Sequence, residues 1–270
     1  METFDIETYL NSLPENINVI DISCKNITYI PESIIRFQNL HKLYCYQNQL
    51  TYLPVLPESL QEFSCGNNQL TCLPALPESL KILDCHNNRC TCLPVLPNSL
   101  HKLYCYQNQL TYLPVLPQSL QILCCYQNQL TYLPVLPVSL KRLHCFKNQL
   151  TCLPVLPESL QILDCRNNRC TCLPVLPESL QRLYCEFNSI YDILNTNDIT
   201  ILKYKINVLN KFRYLYYCTR LKKNLIGYYL WSKRKNYLMF SEGIYTLNEE
   251  EYTHNYILNE YVGRDIMSYI

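Results

Sequence analysis

The sequence has almost no net charge, no long apolar run and no proline past residue 177. With 23 Lys and Arg against 22 Asp and Glu, no overall field points to nucleic acid or to a membrane surface. No stretch approaches the roughly 20 apolar residues that a bilayer span requires. The opening Met1-Glu2-Thr3-Phe4-Asp5 is acidic and lacks the apolar run of a signal peptide, so a soluble, intracellular (cytoplasmic) chain is expected.

What the sequence has is one stretch repeated. Leu100-His-Lys-Leu-Tyr-Cys-Tyr-Gln-Asn-Gln-Leu-Thr-Tyr-Leu-Pro-Val-Leu-Pro-Gln-Ser119 recurs every 20 residues from His41 to Leu180, which makes seven consecutive units. An eighth begins at Gln181 and loses the pattern after Ile190. A longer unit of 23 residues, Ile17 to Asn39, precedes them. A fixed period of this length marks a stacked solenoid, in which each unit packs only on its neighbours. Residues 41–59 and 101–119 differ only at Glu58 and Gln118, the mark of recent duplication.

Within each unit Leu43 and Cys45 point inward and Tyr44 and Tyr46 outward, by strand alternation. Stacking then builds a parallel sheet of nine strands, on the order of 40 Å across at about 4.8 Å per step. Seventeen cysteines would ordinarily suggest disulfides or zinc. Eight of them, Cys45 to Cys185 at intervals of 20, share one inward slot and are expected to pack as small buried hydrophobes with reduced thiols. Asn48 to Asn188 form a second column of eight, placed to bond the backbone where the chain turns out of the sheet. Two prolines per unit, such as Pro54 and Pro57, favour an extended, polyproline-like back over a helix.

The pattern L-x-x-L-x-C-x-x-N-x-L-x-x-L-P-x-L-P resembles the leucine-rich-repeat family, in its 20-residue bacterial-effector type with paired Leu-Pro motifs. The resemblance covers residues 17 to about 190. The variant rich in Cys, Asn and Tyr is similar to leucine-rich-repeat proteins of giant viruses of the mimivirus type. The resemblance implies an α/β solenoid with a parallel β-sheet on the concave face, and a protein-interaction surface on that strand side. Some bacterial members carry a C-terminal ubiquitin ligase with a Cys-x-Asp motif; no Cys-x-Asp occurs here, so that ligase is not expected. Uniform units without insertions leave no concave cleft for a small substrate, so a non-catalytic protein is expected.

Residues 1–16 read as an N-terminal cap, with about one to two helical turns from Asp5 to Leu10. Residues 191–270 read as a C-terminal region, basic and then acidic. Asp198 is placed to cap a helix running to about Ile226 and stopped by Gly227. Its apolar stripe is Ile199, Leu202, Ile206, Leu209, Phe212 and Leu215. Between 199 and 240 there are ten Lys and Arg and no acid; beyond 241 acids such as Glu249, Glu250 and Glu251 accumulate. The segment reads as a cap over the last strand. Its alternative is a second binding site for nucleic acid or an acidic membrane surface.

The strand face is the candidate site for an unidentified protein partner. Tyr44, Tyr46, Tyr104, Tyr106, Tyr126, Phe146 and Tyr184 are expected as an exposed aromatic column, with Arg142, His144 and Arg166 among them. Basic residues on that face outnumber acids, which suits a mildly acidic partner. Cys90-Thr91-Cys92 and Cys170-Thr171-Cys172, each with a cysteine in the preceding unit (Cys72, Cys152), could begin a zinc site. Their alternate residues face opposite ways, which argues against a shared metal, and no metal or cofactor is expected. Asp84 with His86 hints at acid–base work, with no third partner visible.

Overall fold

The computed structural model describes residues 4–190 and 198–211. The chain divides into two compact units, Met1–Asn207 and Val208–Ile270. The first is a solenoid whose front is one parallel sheet of nine strands, β1 to β9 in chain order. They are β1 (Val19–Asp21), β2 (Lys42–Tyr44), β3 (Glu62–Ser64), β4 (Ile82–Asp84), β5 (Lys102–Tyr104), β6 (Ile122–Cys124), β7 (Arg142–His144), β8 (Ile162–Asp164) and β9 (Arg182–Tyr184). After β2 the register advances by one repeat per strand, Lys42 pairing with Glu62 and so on to Arg182.

The strands are short because the chain leaves the sheet at a fixed left-handed residue. Gln47, Asn67, Asn87, Gln107, Gln127, Lys147, Asn167 and Phe187 all take φ between 48° and 57°. Left-handed backbone crowds Cβ against the next carbonyl and costs about 1–2 kcal/mol in a non-glycine residue. The asparagine one position later compensates. Asn108 Nδ2 donates to the carbonyls of Cys85 (3.0 Å) and Cys105 (3.3 Å), and its Oδ1 accepts from the Cys90 amide at 3.0 Å. The same bonds recur from Asn68 to Asn188, so each asparagine ties its own turn to the one before. Asn48 makes the equivalent link to the longer first unit through the amides of Lys25 and Ile27.

The core lies between this ladder and the back. Leu43, Cys45, Leu50 and Leu60, with their counterparts in later units, are essentially free of solvent. All eight cysteines of the inward slot are buried, with Cys185 at 2% the most exposed. Burial pushes their thiols upward, to about 12 at Cys185. The back of the 20-residue units carries no helix. It is stitched by serines, Ser119 Oγ donating to the Leu100 carbonyl one turn earlier at 2.7 Å. The first unit differs through a 3-10 turn at Glu32–Arg36, matching its extra length.

Near the N-terminus stands α1 (Ile6–Ser12), whose N-cap Asp5 accepts from the amides of Glu7 and Thr8 and whose Ile6 and Leu10 are buried. At the other end α2 covers 199–211 among the described residues. Asp198 Oδ1 accepts from the amides of Thr200 (2.8 Å) and Ile201 (3.1 Å), and Leu202 and Ile206 are buried. Lys203 Nζ donates to the Glu178 carbonyl at 2.9 Å and lies 3.6 Å from its carboxylate. The continuation to Ile226, the stop at Gly227 and the acidic tail lie outside the described residues.

Candidate interaction face

Three outward slots make the strand face, at positions equivalent to 42, 44 and 46. The expected single aromatic column is divided between two of them. Tyr44, Tyr104 and Tyr184 stand in the 44 slot, with His144. Tyr46, Tyr106, Tyr126 and Phe146 stand in the 46 slot, with Arg166. Arg142 is in the 42 slot and is exposed. There Ile82, Ile122 and Ile162 alternate with Lys102, Arg142 and Arg182.

Only the 46 slot forms a continuous stack. His86 lies on Tyr106 (centroids 4.6 Å apart), Tyr106 on Tyr126 (4.3 Å) and Tyr126 on Phe146 (4.2 Å), with planes within 17° of parallel. Arg166 continues the row, its guanidinium 5.6 Å from the Phe146 ring and 5.1 Å from that of Tyr184. Rings stacked one per turn use their faces on each other and turn their edges and phenol groups outward. Burial pushes the Tyr106 and Tyr126 phenols upward. Tyr46 is left out because Gly66 follows it. The His86 ring lies over Gly66 where a Cβ would stand, so a side chain there would have to displace that ring.

Both ends of the stack carry an aspartate. Asp84 Oδ1 is 2.7 Å from His86 Nδ1, and His86 Nε2 accepts from Asn67 Nδ2 at 2.8 Å. Asn67 Oδ1 in turn accepts from Asn87 at 2.6 Å. The third partner missing from the sequence reading is therefore an amide, which fixes the ring without supplying acid–base chemistry. At the far end Asp164, 4% exposed, accepts from Arg166 Nε (2.9 Å) and NH2 (2.7 Å). These bonds hold the guanidinium firmly protonated.

One constellation was invisible in the sequence because its members are 20 residues apart. Strand register sets Tyr104 beside Cys124, Cys124 beside His144 and His144 beside Asp164. A Cys–His–Asp row invites comparison with nucleophilic catalysis. The environment opposes it. Burial pushes the Cys124 thiol up to about 12 and pushes His144 down, while Asp164 is engaged by Arg166. A thiol raised by apolar burial is a poor nucleophile.

The twin Cys-x-Cys motifs behave differently at their two cysteines. Cys90 and Cys170 are buried, and their Sγ atoms donate to the carbonyls of Leu70 (3.5 Å) and Leu150 (3.4 Å). Cys92 and Cys172 are half-buried on the other side rather than fully exposed. Among the described residues no three His, Cys, Asp or Glu side chains are placed to hold a metal ion. The back shows a feature the sequence reading missed, a row of exposed valines from Val55 to Val175, 86% exposed at Val115.

No protein-family model matches the sequence, and no curated protein matches it. Solved structures do. The leucine-rich effector YopM of Yersinia pestis is 31% identical over 63% of this chain and 55% of its own, with a TM-score of 0.56. The leucine-rich-repeat domain of a Shigella effector is 30% identical over 60% of this chain and 72% of its own, with a TM-score of 0.51. The functional domain of InlJ from Listeria monocytogenes, which includes a cysteine ladder, is 26% identical over 68% of this chain and 46% of its own, with a TM-score of 0.50. The chain thus spans about half the length of the Yersinia and Listeria proteins.

Proposed function

We propose that this chain, a member of the leucine-rich-repeat family, is a non-catalytic module that holds a protein partner on the strand side of its solenoid. The observation that carries the reading is the ladder from His86 to Arg166, whose ring edges and phenols make a rigid surface with little left to order on binding. Beside it the 42 slot offers cations and isoleucines in alternation. Lys102, Arg142 and Arg182 take part in no ion pair among the described residues. A partner presenting carboxylates and apolar groups fits that alternation. Tyr44, Tyr104, His144 and Tyr184 extend the same surface through the 44 slot, and Tyr46 lies at its N-terminal side.

Eight buried thiols in place of leucine suit a reducing, intracellular setting. The Cys, Asn and Tyr slots also carry the likeness to giant-virus repeats, which would put the partner in a host cytoplasm.

The test is capture of partner by the full chain against Tyr104→Ser/Tyr106→Ser/Tyr126→Ser. Loss of a specific partner with an unchanged circular dichroism spectrum supports the reading, and undiminished capture of the same partner overturns it. The alternative, nucleic-acid or acidic-membrane binding through 199–240, rests on the ten Lys and Arg of that stretch. Of these, Lys203 is already engaged with Glu178. A chain lacking 199–270 that keeps folded repeats and loses nucleic-acid binding would favour that alternative.

A further inference from the structure

The slot two residues beyond the inward Leu50 position reads Tyr52, Cys72, Cys92, Tyr112, Tyr132, Cys152, Cys172 along the solenoid. Cysteine enters it only as adjacent pairs, and the two pairs lie 80 residues apart, four turns. Cys72 and Cys152 are exposed, and Cys92 and Cys172 half-buried. The turns touch at this level, since the Thr171 amide donates to the Thr151 carbonyl at 3.3 Å. Each pair is also close to an inward thiol. After burial, Cys72 and Cys92 are the groups that most raise the Cys90 thiol, and Cys152 and Cys172 do the same to Cys170.

The step between turns and the redox state together select the chemistry. Two thiolate–metal bonds of about 2.3 Å placed end to end span about 4.6 Å, close to the roughly 4.8 Å between neighbouring strands. A disulfide accepts Cα atoms about 4.4–6.8 Å apart, so the same step admits an S–S bond, but only where an oxidant removes two electrons; reduced, the pair is left for a metal ion. Tetrahedral zinc needs further ligands, and among the described residues no group of three is placed to supply them. A soft cation that accepts two thiolates in line needs neither an oxidant nor a third ligand, and soft thiolates select copper(I).

We propose that Cys72 with Cys92, and Cys152 with Cys172, are two independent two-thiolate sites for a soft monovalent cation of the copper(I) class. Binding one ion replaces two S–H bonds with two S–Cu bonds and releases two protons to solvent. No electron is transferred. Affinity therefore rises with pH. Cys90 and Cys170 remain bonded to backbone carbonyls behind the sites and take no part.

The test titrates copper(I) into the full chain, without oxygen, against a chromophoric copper(I) chelator. The native chain is expected to withhold two ions. Cys72→Ser and Cys152→Ser each withhold one, and the double variant none, with unchanged melting curves. Cys24→Ser, an exposed thiol in neither pair, keeps the count at two. A double variant that withholds as much as the native chain overturns the proposal, as does a count that falls with Cys24→Ser. Oxidised glutathione provides a second arm. A Cys72–Cys92 disulfide found by mass in a chain that withholds no copper(I) would make these disulfide pairs and also overturn it.

Discussion

The inside of the solenoid and its strand face are built on the same 20-residue register, yet they differ in kind. Inside, the cysteine and asparagine slots are filled identically eight times. Outside, the 44 slot reads Tyr, Ser, Asp, Tyr, Cys, His, Asp, Tyr from β2 to β9. Interior positions answer to their copies one turn away, so any change in one turn is felt by two neighbours. Outward positions answer to solvent and to the proposed partner, so they are free to vary. Chemistry that repeats holds the fold, and chemistry that does not repeat is where the proposed binding would be written.

The sharpest way to break the inside is high pH. The buried thiols have folded-state values raised above the ordinary 9.0 by loss of solvent. Their contribution is therefore fully present below pH 9 and lost as pH rises beyond it. Each thiol withdraws about 1.4 kcal/mol per pH unit. Eight together exhaust a typical stability of about 5–15 kcal/mol within roughly one to two units. Circular dichroism against pH should show the repeats unfolding between about pH 10 and 11, and an array still folded at pH 11 would mean the column is not internal.

Asn108→Leu comes next. It strands the Cys90 amide and the Cys85 carbonyl without water, and about 3 kcal/mol is expected in urea unfolding, the upper end for a stranded buried polar group. An unchanged midpoint would remove the ladder from the account. On the face, Tyr126→Ala breaks two stacking contacts, each contributing about 0.5–1.5 kcal/mol. A loss of about 1–3 kcal/mol in the same assay is expected, together with weaker partner capture. If capture falls while stability does not, the rings serve the partner alone.

The smallest effect has the opposite sign. Phe187 holds a left-handed φ of 57° while 74% exposed, so its ring returns little for the strain. Phe187→Asn should raise the melting temperature, by an amount equivalent to about 1 kcal/mol. A lower melting temperature would show that the ring packs on something essential.

Nearly all of the scaffold was legible in the sequence, because every inward residue is repeated in register and Leu43, Cys45 and Asn48 each have copies to be checked against. The face was legible only as a set of outward residues. Which rings stack depends on Gly66, which has no ring to carry the stack on to Tyr46 and whose missing Cβ leaves room for the His86 ring, and on lateral neighbours 20 positions apart such as Cys124 and His144. The left-handed slot was hidden for a related reason. Glycine usually marks such backbone, and here Gln, Asn, Lys and Phe occupy it. At the C-terminus the cap at Asp198 and the stripe through Leu202 and Ile206 were readable from spacing.

The asparagine links also bear on how such a chain changes length. Every joint from Asn68 onward joins the same atoms across the same 18- and 23-residue intervals. Unequal recombination between any two units would therefore leave joints chemically indistinguishable from the parental ones, whatever the new number of turns. An array tied in this way can lengthen or shorten over generations while each surviving turn keeps its footing.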